Sequence, residues 1–209
     1  MKFLAIIPAR KGSKRIKFKN KKILGKKKLI EYTIDIAKKI KLFSDILVTS
    51  DDQEIINLSK KKNILAPWIR PKKLSGSNVS SYLTVKHAVD WFEKNLYKID
   101  VIFLLQPTSP FRTKKNILDA LNAFKINKLN NSVISVSKSI VRTQSKKKIN
   151  IFQPNGSIYI ITKKEFFKYK SFITPKTNPF VINDVRESLD IDLPKDWNKA
   201  LKYISKTKK

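Results

Sequence analysis

Short apolar runs alternate along this chain with amphipathic stretches of helical period, and that alternation restricts it to an α/β architecture. Residues 3–7 read as a first buried strand closed by Pro8. Residues 29–40 put Leu29, Ile30, Thr33, Ile34, Ala37 and Ile40 on one stripe, the spacing of a helix face. A second strand is expected over 45–49, and Ser50-Asp51-Asp52 then opens a helix with capping side chains and early acids. A short piece over 64–68 reads as a third strand, 80–95 as a helix, and 101–105 as an apolar strand running into Gln106-Pro107-Thr108. A helix over 117–124, strands over 132–136 and 157–161, and a last helix over 195–204 behind Pro194 complete the pattern. No repeat or low-complexity linker divides the 209 residues, so a single domain over 1–209 is expected.

Composition narrows the chemistry. Hydrophobic residues make up 41% of the chain, enough for a folded core. The absence of cysteine removes disulfides, thiolate catalysis and cysteine-bound zinc. The single histidine, His87, cannot build a histidine-rich metal site, and on the 80–95 helix it reads as a structural or solvent-facing residue. The apolar run at 3–7 is stopped by Pro8, Arg10 and Lys11, too short for a secretion signal, and nothing approaches the ~18 apolar residues of a membrane span. A soluble cytoplasmic protein is the expectation. The formal charge of +30 comes from lysine far more than arginine, and lysine, isoleucine and asparagine share A/T-only codons. A biased genome explains that excess as well as a polyanionic ligand does, and no specific nucleic acid is expected as partner.

In open α/β sheets ligands sit beyond the carboxyl ends of the strands. After the first strand stands Pro8-Ala9-Arg10-Lys11-Gly12-Ser13-Lys14-Arg15, then Lys19-Asn20, a glycine-bearing turn with a cluster of cations suited to phosphate oxygens. It matches neither a P-loop nor GxGxxG. After the 101–105 strand, Pro107 and Pro110 stiffen a turn carrying Gln106, Thr108, Ser109 and Arg112, all able to hydrogen-bond a ligand. Asp190 and Asp192 stand two apart, so an extended segment turns both carboxylates to one side, a magnesium environment when phosphate oxygens join them.

Taken in order, Ile-Ile-Pro-Ala-Arg-Lys-Gly-Ser-Lys-Arg-Ile (6–16), Lys19-Asn20, Ser50-Asp51-Asp52, Arg70-Pro71, Ser80-Ser81, Leu-Leu-Gln-Pro-Thr-Ser-Pro-Phe-Arg-Thr (104–113), Asn155-Gly156-Ser157-Ile158-Tyr159 and Leu189-Asp190-Ile191-Asp192 resemble the acylneuraminate cytidylyltransferase family. The chain is also similar to the cytidylyltransferases for deoxyoctulosonate, pseudaminate and legionaminate, and the 104–113 stretch favours the sialate/legionaminate side. The resemblance implies a Rossmann-like nucleotide-diphospho-sugar transferase sandwich, with a mostly parallel central sheet and flanking helices. It implies a bacterial, cytoplasmic enzyme of surface polysaccharide biosynthesis that moves CMP from CTP to an acidic nonulosonate sugar and releases pyrophosphate. On that reading Arg10, Lys14 and Lys19 are the catalytic cations, and Ala9, Gly12, Ser13, Asn20, Arg70 and Ser81 complete the nucleotide site. Gln106, Thr108, Ser109, Gln153 and Asn155 would contact substrate, and Asp190 and Asp192 would carry Mg2+.

Two departures bear on the acceptor. Gln153 stands where the family commonly has arginine, suited to an acidic sugar. The stretch 138–153, read as a short mobile loop, replaces a longer dimerisation element, which leaves both sugar identity and homodimerisation open. Three other readings stand beside the first: a different acceptor such as pseudaminate or deoxyoctulosonate, an inactive relative, and a non-enzymatic basic protein associated with nucleic acid.

Overall fold

The structure, a computed structural model, describes residues 1–126, 132–142 and 148–206, with the backbone alone for 140–142 and 148. In chain order it runs β1 (Phe3–Ala9), a small ribbon of β2 (Ile23–Leu24) and β3 (Lys27–Lys28), α1 (Leu29–Lys38), β4 (Asp45–Ser50), α2 (Gln53–Lys61), α3 (Ser81–Asn95) and β5 (Val101–Leu104). It continues with α4 (Lys114–Ile126), β6 (Ser132–Arg142), β7 (Lys148–Thr162), α5 (Lys163–Tyr169), β8 (Asn178–Val181) and α6 (Pro194–Lys206). Six strands form one sheet in the order β4-β1-β5-β7-β6-β8. β1 pairs in parallel with β4 and β5, and β6 with β8, while β7 runs against both its neighbours. The sheet is therefore mostly parallel, as expected.

Strand alternation sends successive side chains to opposite faces, and both faces are covered. Ala5, Ile7, Val48 and Phe103 meet α1, α2 and α4 through Ile30, Ile34, Ile55, Ile117 and Phe124. Leu4, Ile6, Leu47 and Leu104 meet α3 and α5 through Val85, Val89, Phe92 and Phe166. Helix starts carry the caps that their sequences offer: Asp52 accepts from the Glu54 N–H, Ser80 from Leu83, and Thr113 from Asn116. A third apolar cluster lies at the carboxyl end of the sheet. There Ile16, Phe111, Leu189 and Ile191 pack under Trp197 and Ala200 of α6. α6 thus gathers the loop after β1, the turn after β5 and the late acidic segment into one place.

Three expectations are corrected. Residues 64–68 form no strand; Leu65 and Ile69 make only isolated parallel bridges to Leu47 and Ser50 beside β4. Pro67, between them, has no N–H to continue a ladder. The stretch read as a loop over 138–153 is paired backbone on both sides, from Ser137 opposite Gln153 to Arg142 opposite Lys148. Its Ile140, Val141, Ile149 and Ile151 are β-branched, which favours strand over coil. The intervening residues 143–147 lie outside the described residues. Finally, α5 and β8 were unforeseen. α5 has only seven residues, opened by Thr162 accepting from the Glu165 N–H. β8 contains Pro179, tolerated because it lies at the sheet edge.

Phe92 is fully buried in the layer between the sheet and α3. Phe92→Ala is expected to cost about 3–5 kcal/mol of stability, checked by the shift in its denaturant midpoint.

Candidate active site

Parallel strands β1, β4 and β5 end on one edge of the sheet, and the loops that follow them enclose a cleft of about 310 Å³. From the β1 loop, Arg10, Ser13, Lys19 and Asn20 line it. Their placement rests on a tight bend: Phe18 adopts left-handed backbone, and its carbonyl accepts from the N–H groups of Lys21 and Lys22. The bend turns Lys19 and Asn20 inward, where both are buried. The Asn20 amide donates to the Arg10 carbonyl at 2.9 Å, closing the loop on itself. The Lys19 ammonium donates to the Ile191 carbonyl at 2.7 Å and to Asp192 Oδ1 at 2.9 Å. Arg15 reaches the other oxygen of Asp192 at 3.7 Å.

From the segment after β4, Arg70 enters the cleft wall with its guanidinium almost wholly buried. Its N–H groups donate to Ser75 Oγ and the Thr49 carbonyl, and Asp51 lies 3.7 Å away. Burial lowers its pKa, and Asp51 only partly offsets that. Ser81 and Thr84, at the start of α3, also line the cleft. From β5, Gln106 and Thr108 complete the wall. The Thr108 carbonyl accepts from the Ile191 N–H at 2.8 Å, which holds the acidic segment extended beside the turn. Ile191 is buried in the α6 cluster, while Asp190 and Asp192 on either side of it face the cleft. Burial pushes the Asp190 carboxyl up to about 6, against a hydrogen bond from Thr108. One of its oxygens, Oδ1, is buried with no protein partner.

The structure thus brings together Arg10, Ser13, Lys19, Asn20, Arg70, Ser81, Gln106, Thr108, Asp190 and Asp192. The other expected site residues lie elsewhere. Ala9 is a core residue on β1, so only its backbone is at the cleft edge. Lys14 and Gly12 are exposed on the loop, and a Cβ on Gly12 would meet nothing within 4 Å, so no close approach demands glycine there. Ser109 is buried and donates to the Asn155 carbonyl, and the Asn155 side chain is spent on Ser135 and Ser137. Both join the β5 turn to the β6–β7 ladder. Gln153 is exposed on β7 opposite Ser137, outside the cleft lining. His87 packs edge-on against Trp68, also outside the cleft.

Arg112 is corrected from ligand contact to scaffold: it is buried and bonded to Ser157 O, Gln106 O and Thr33 Oγ1. Two features escaped the sequence reading. The 74–79 loop supplies Leu74, Gly76, Ser77 and Val79 to the cleft, signalled only by its Gly-Ser pair. Gly156 has φ +72°, and a Cβ there would sit 2.6 Å from Gln106 Oε1 and 3.3 Å from Asp190 Oδ2. It is the gap into which two cleft residues fit.

Chemically the cleft opposes three cations, Arg10, Lys19 and Arg70, to two carboxylates, with amide and hydroxyl groups between them. That suits a polyphosphate held by cations beside a hard divalent ion. Two carboxylates with one orphaned buried oxygen fit such an ion when phosphate oxygens and water fill its remaining positions.

A model of the family described as Cytidylyltransferase matches residues 4–209. Over 94% of its length the chain is 35% identical to the CMP-N,N'-diacetyllegionaminic acid synthase of Legionella pneumophila, of which it covers 94%. It is 29% identical over 96% of its length to the N-acylneuraminate cytidylyltransferase of Escherichia coli, spanning 51% of that protein. In fold it is similar to a CMP:2-keto-3-deoxy-manno-octonic acid synthetase complexed with CTP, with TM-score 0.71 at 13% identity, covering 99% of this chain and 100% of that one.

The two glycines separate cleanly by substitution. Gly12→Ala is expected to leave stability within about 0.5 kcal/mol, whereas Gly156→Ala costs ~1–2 kcal/mol from its left-handed backbone. Denaturant titration of the two variants checks this.

Proposed function

The chain belongs to the cytidylyltransferase family, and from that premise we propose that it transfers CMP from CTP to an acidic nonulosonate sugar of the legionaminate or N-acylneuraminate type. The observation that carries the reading is the gathering of Arg10, Lys19 and Arg70 with Asp190 and Asp192 around one cleft at the carboxyl ends of β1, β4 and β5, with Lys19 held on Asp192. On this reading the stretch 1–209 is a single cytidylyltransferase domain that acts in the bacterial cytoplasm.

In the reaction a sugar hydroxyl oxygen attacks the α-phosphorus of CTP, a new P–O bond forms, and the bond to the β-phosphate oxygen breaks to release pyrophosphate. Charge on the phosphates is the main obstacle, so positioned cations contribute most. Arg10 binds the triphosphate from the β1 loop. The Lys19 ammonium has three donors, of which Ile191 O and Asp192 take two, leaving one for a phosphate oxygen. Arg70, buried and short of hydrogen-bond acceptors, presents its remaining N–H groups to the nucleotide, beside Ser81. Gln106, fixed through its carbonyl by Arg112, offers its amide to the base or the sugar. Asp190 and Asp192 would hold Mg2+, which when bound offsets the charge on the phosphates and the leaving group. The hydroxyl proton passes to water in the cleft, because His87, the one histidine, lies outside the cleft lining, packed on Trp68.

The test is pyrophosphate release from CTP or ATP with magnesium, across legionaminate, N-acetylneuraminate, pseudaminate and deoxyoctulosonate. CTP with legionaminate or N-acetylneuraminate is expected to give release, and ATP none. Release with deoxyoctulosonate alone, or silence across the panel, refutes the proposal. Removing magnesium with a chelator is expected to abolish turnover. Asp192→Ala is expected to lower kcat by about 10²–10³-fold, in the range seen when a single electrostatic group is removed, with folding retained because its side chain is half-exposed. Unchanged pyrophosphate release in that variant would remove Asp192 from the site.

A further inference from the structure

On the outer side of the loop that carries Lys19 and Asn20 lies a second cavity, of about 640 Å³, within the range of small-molecule sites. It is formed by the outward-facing residues of the same segment, closed by Lys28 and Glu54 on one side and by Pro194 and Trp197 of α6 on the other. Two observations mark it as a binding site. First, Phe18 has φ 55°, ψ 34°, a conformation costly for a bulky side chain, and its ring stands 40% exposed at the cavity beside the exposed Ile23. Aiming Lys19 inward accounts for the bend but not for an aromatic ring at its apex, where glycine or asparagine would bend without strain.

Second, the cavity couples aromatic faces to cations. The Lys17 and Lys21 ammonium groups lie 5.4 and 4.8 Å from the Phe18 ring centroid, and Lys22 lies 4.8 Å from that of Trp197. Its one acid, Glu54, is already engaged by Lys21 and Lys28. Among the described residues neither Lys17 nor Lys22 forms an ion pair. Lys17 lies over the Phe18 ring with no acid to hold it, so a flat ring that takes its place there leaves its charge free for a phosphate on the same ligand.

We propose that this cavity is a second nucleotide site, which takes a mononucleotide with its base on Phe18 and its phosphates on Lys17 and Lys22. It is separate from the cleft: apart from the shared 15–22 segment, the two are lined by different residues. A base stacked on Phe18 would grip the bend that presents Lys19, so occupancy of the outer site bears directly on the loop that holds the triphosphate.

Calorimetric titration of the full chain with CTP tests this. Two CTP per chain are expected, with inorganic pyrophosphate failing to fill the outer site because it has no ring. Phe18→Gly, which allows the left-handed backbone but removes the ring, is expected to weaken the outer site about 5- to 150-fold, the range of a lost base stack. Lys22→Glu is expected to do the same without touching the bend. Arg10→Ala is expected to remove the cleft site alone, so a failure of the cleft reading is seen separately from a failure of this one. One CTP per chain overturns the proposal, as does a second site indifferent to both Phe18→Gly and Lys22→Glu. Equal binding of pyrophosphate would reduce it to the lysine coat and overturn it. Polyuridylate that displaces the second CTP equally well from the parent chain and from Phe18→Gly would mark the site as a general polyanion surface, and would overturn the proposal too.

Discussion

The guanidinium of Arg112 lies 3% exposed inside the molecule, and three segments distant in sequence converge on it. It donates to Ser157 O at 2.6 Å, Gln106 O at 2.7 Å and Thr33 Oγ1 at 3.2 Å, joining β7, the end of β5 and α1. Burying a charge costs several kcal/mol unless hydrogen bonds compensate it. Here burial pushes the Arg112 pKa down to about 9, with Asp190 opposing that shift. A lysine would not replace it, because the three bonds leave from Nε, Nη1 and Nη2 of a rigid planar group, whereas an ammonium's three donors radiate from one atom. The arrangement explains why Gln106 leaves an apolar strand at a fixed angle. It also explains why Gly156, beside Ser157, must leave room for Gln106 and Asp190. The cleft geometry is therefore set from below, by a cation that lies outside the cleft lining.

Charge on the surface follows a different logic. With 46 basic against 16 acidic residues, most lysines have no acid to meet, and many acids serve two. Asp35 takes Lys27 and Lys62, Glu93 takes Lys98 and Lys163, and Glu54 takes Lys21 and Lys28. Exposed pairs of this kind contribute little stability individually. Their effect is to leave net positive charge across the molecule, while the cleft gathers cations and carboxylates together. The loudest number in the composition thus points to no single place in the structure, whereas Asp190 and Asp192, conspicuous by their sign, both line the cleft.

How far the sequence could be read depended on how locally each feature is determined. Helix α1 and strands β1, β4 and β5 announce themselves by periodicity, because their burial pattern is written into neighbouring residues. The cations of the β1 loop and the acids at 190 and 192 were legible for the same reason: each sits next to a strand end or on an extended stretch. The roles of Ser109, Asn155 and Arg112 were not, since Ser109 and Arg112 are decided by partners 46 and 45 residues away and the Asn155 side chain by partners 20 and 18 residues away. A polar side chain in a turn looks the same whether it faces a ligand or another strand. The inner part of the β6–β7 ladder was legible as strands over 132–136 and 157–161, but its extension over 137–142 and 148–153 was hidden by lysines and serines, whose polarity outweighed the β-branched residues between them. β8 was hidden by a proline that only an edge strand could carry.

Lys19 shows how the two kinds of charge meet. Its ammonium is buried between the Ile191 carbonyl and Asp192, a position that a free surface lysine would not hold against the loss of hydration. Asp192 itself is half-exposed and also approached by Arg15, so the pair is not a sealed ion pair but one open on the cleft side. On the proposed reading a triphosphate entering there would offer Lys19 an acceptor for its third donor without stripping it of the two protein contacts it has. Preorganisation of that kind lowers the cost of assembling charge at the moment of reaction, because the cation is already desolvated and aimed. The strain at Phe18 is the local cost of aiming it, which is why the backbone conformation of one exposed aromatic residue bears on the chemistry of a buried lysine beside it.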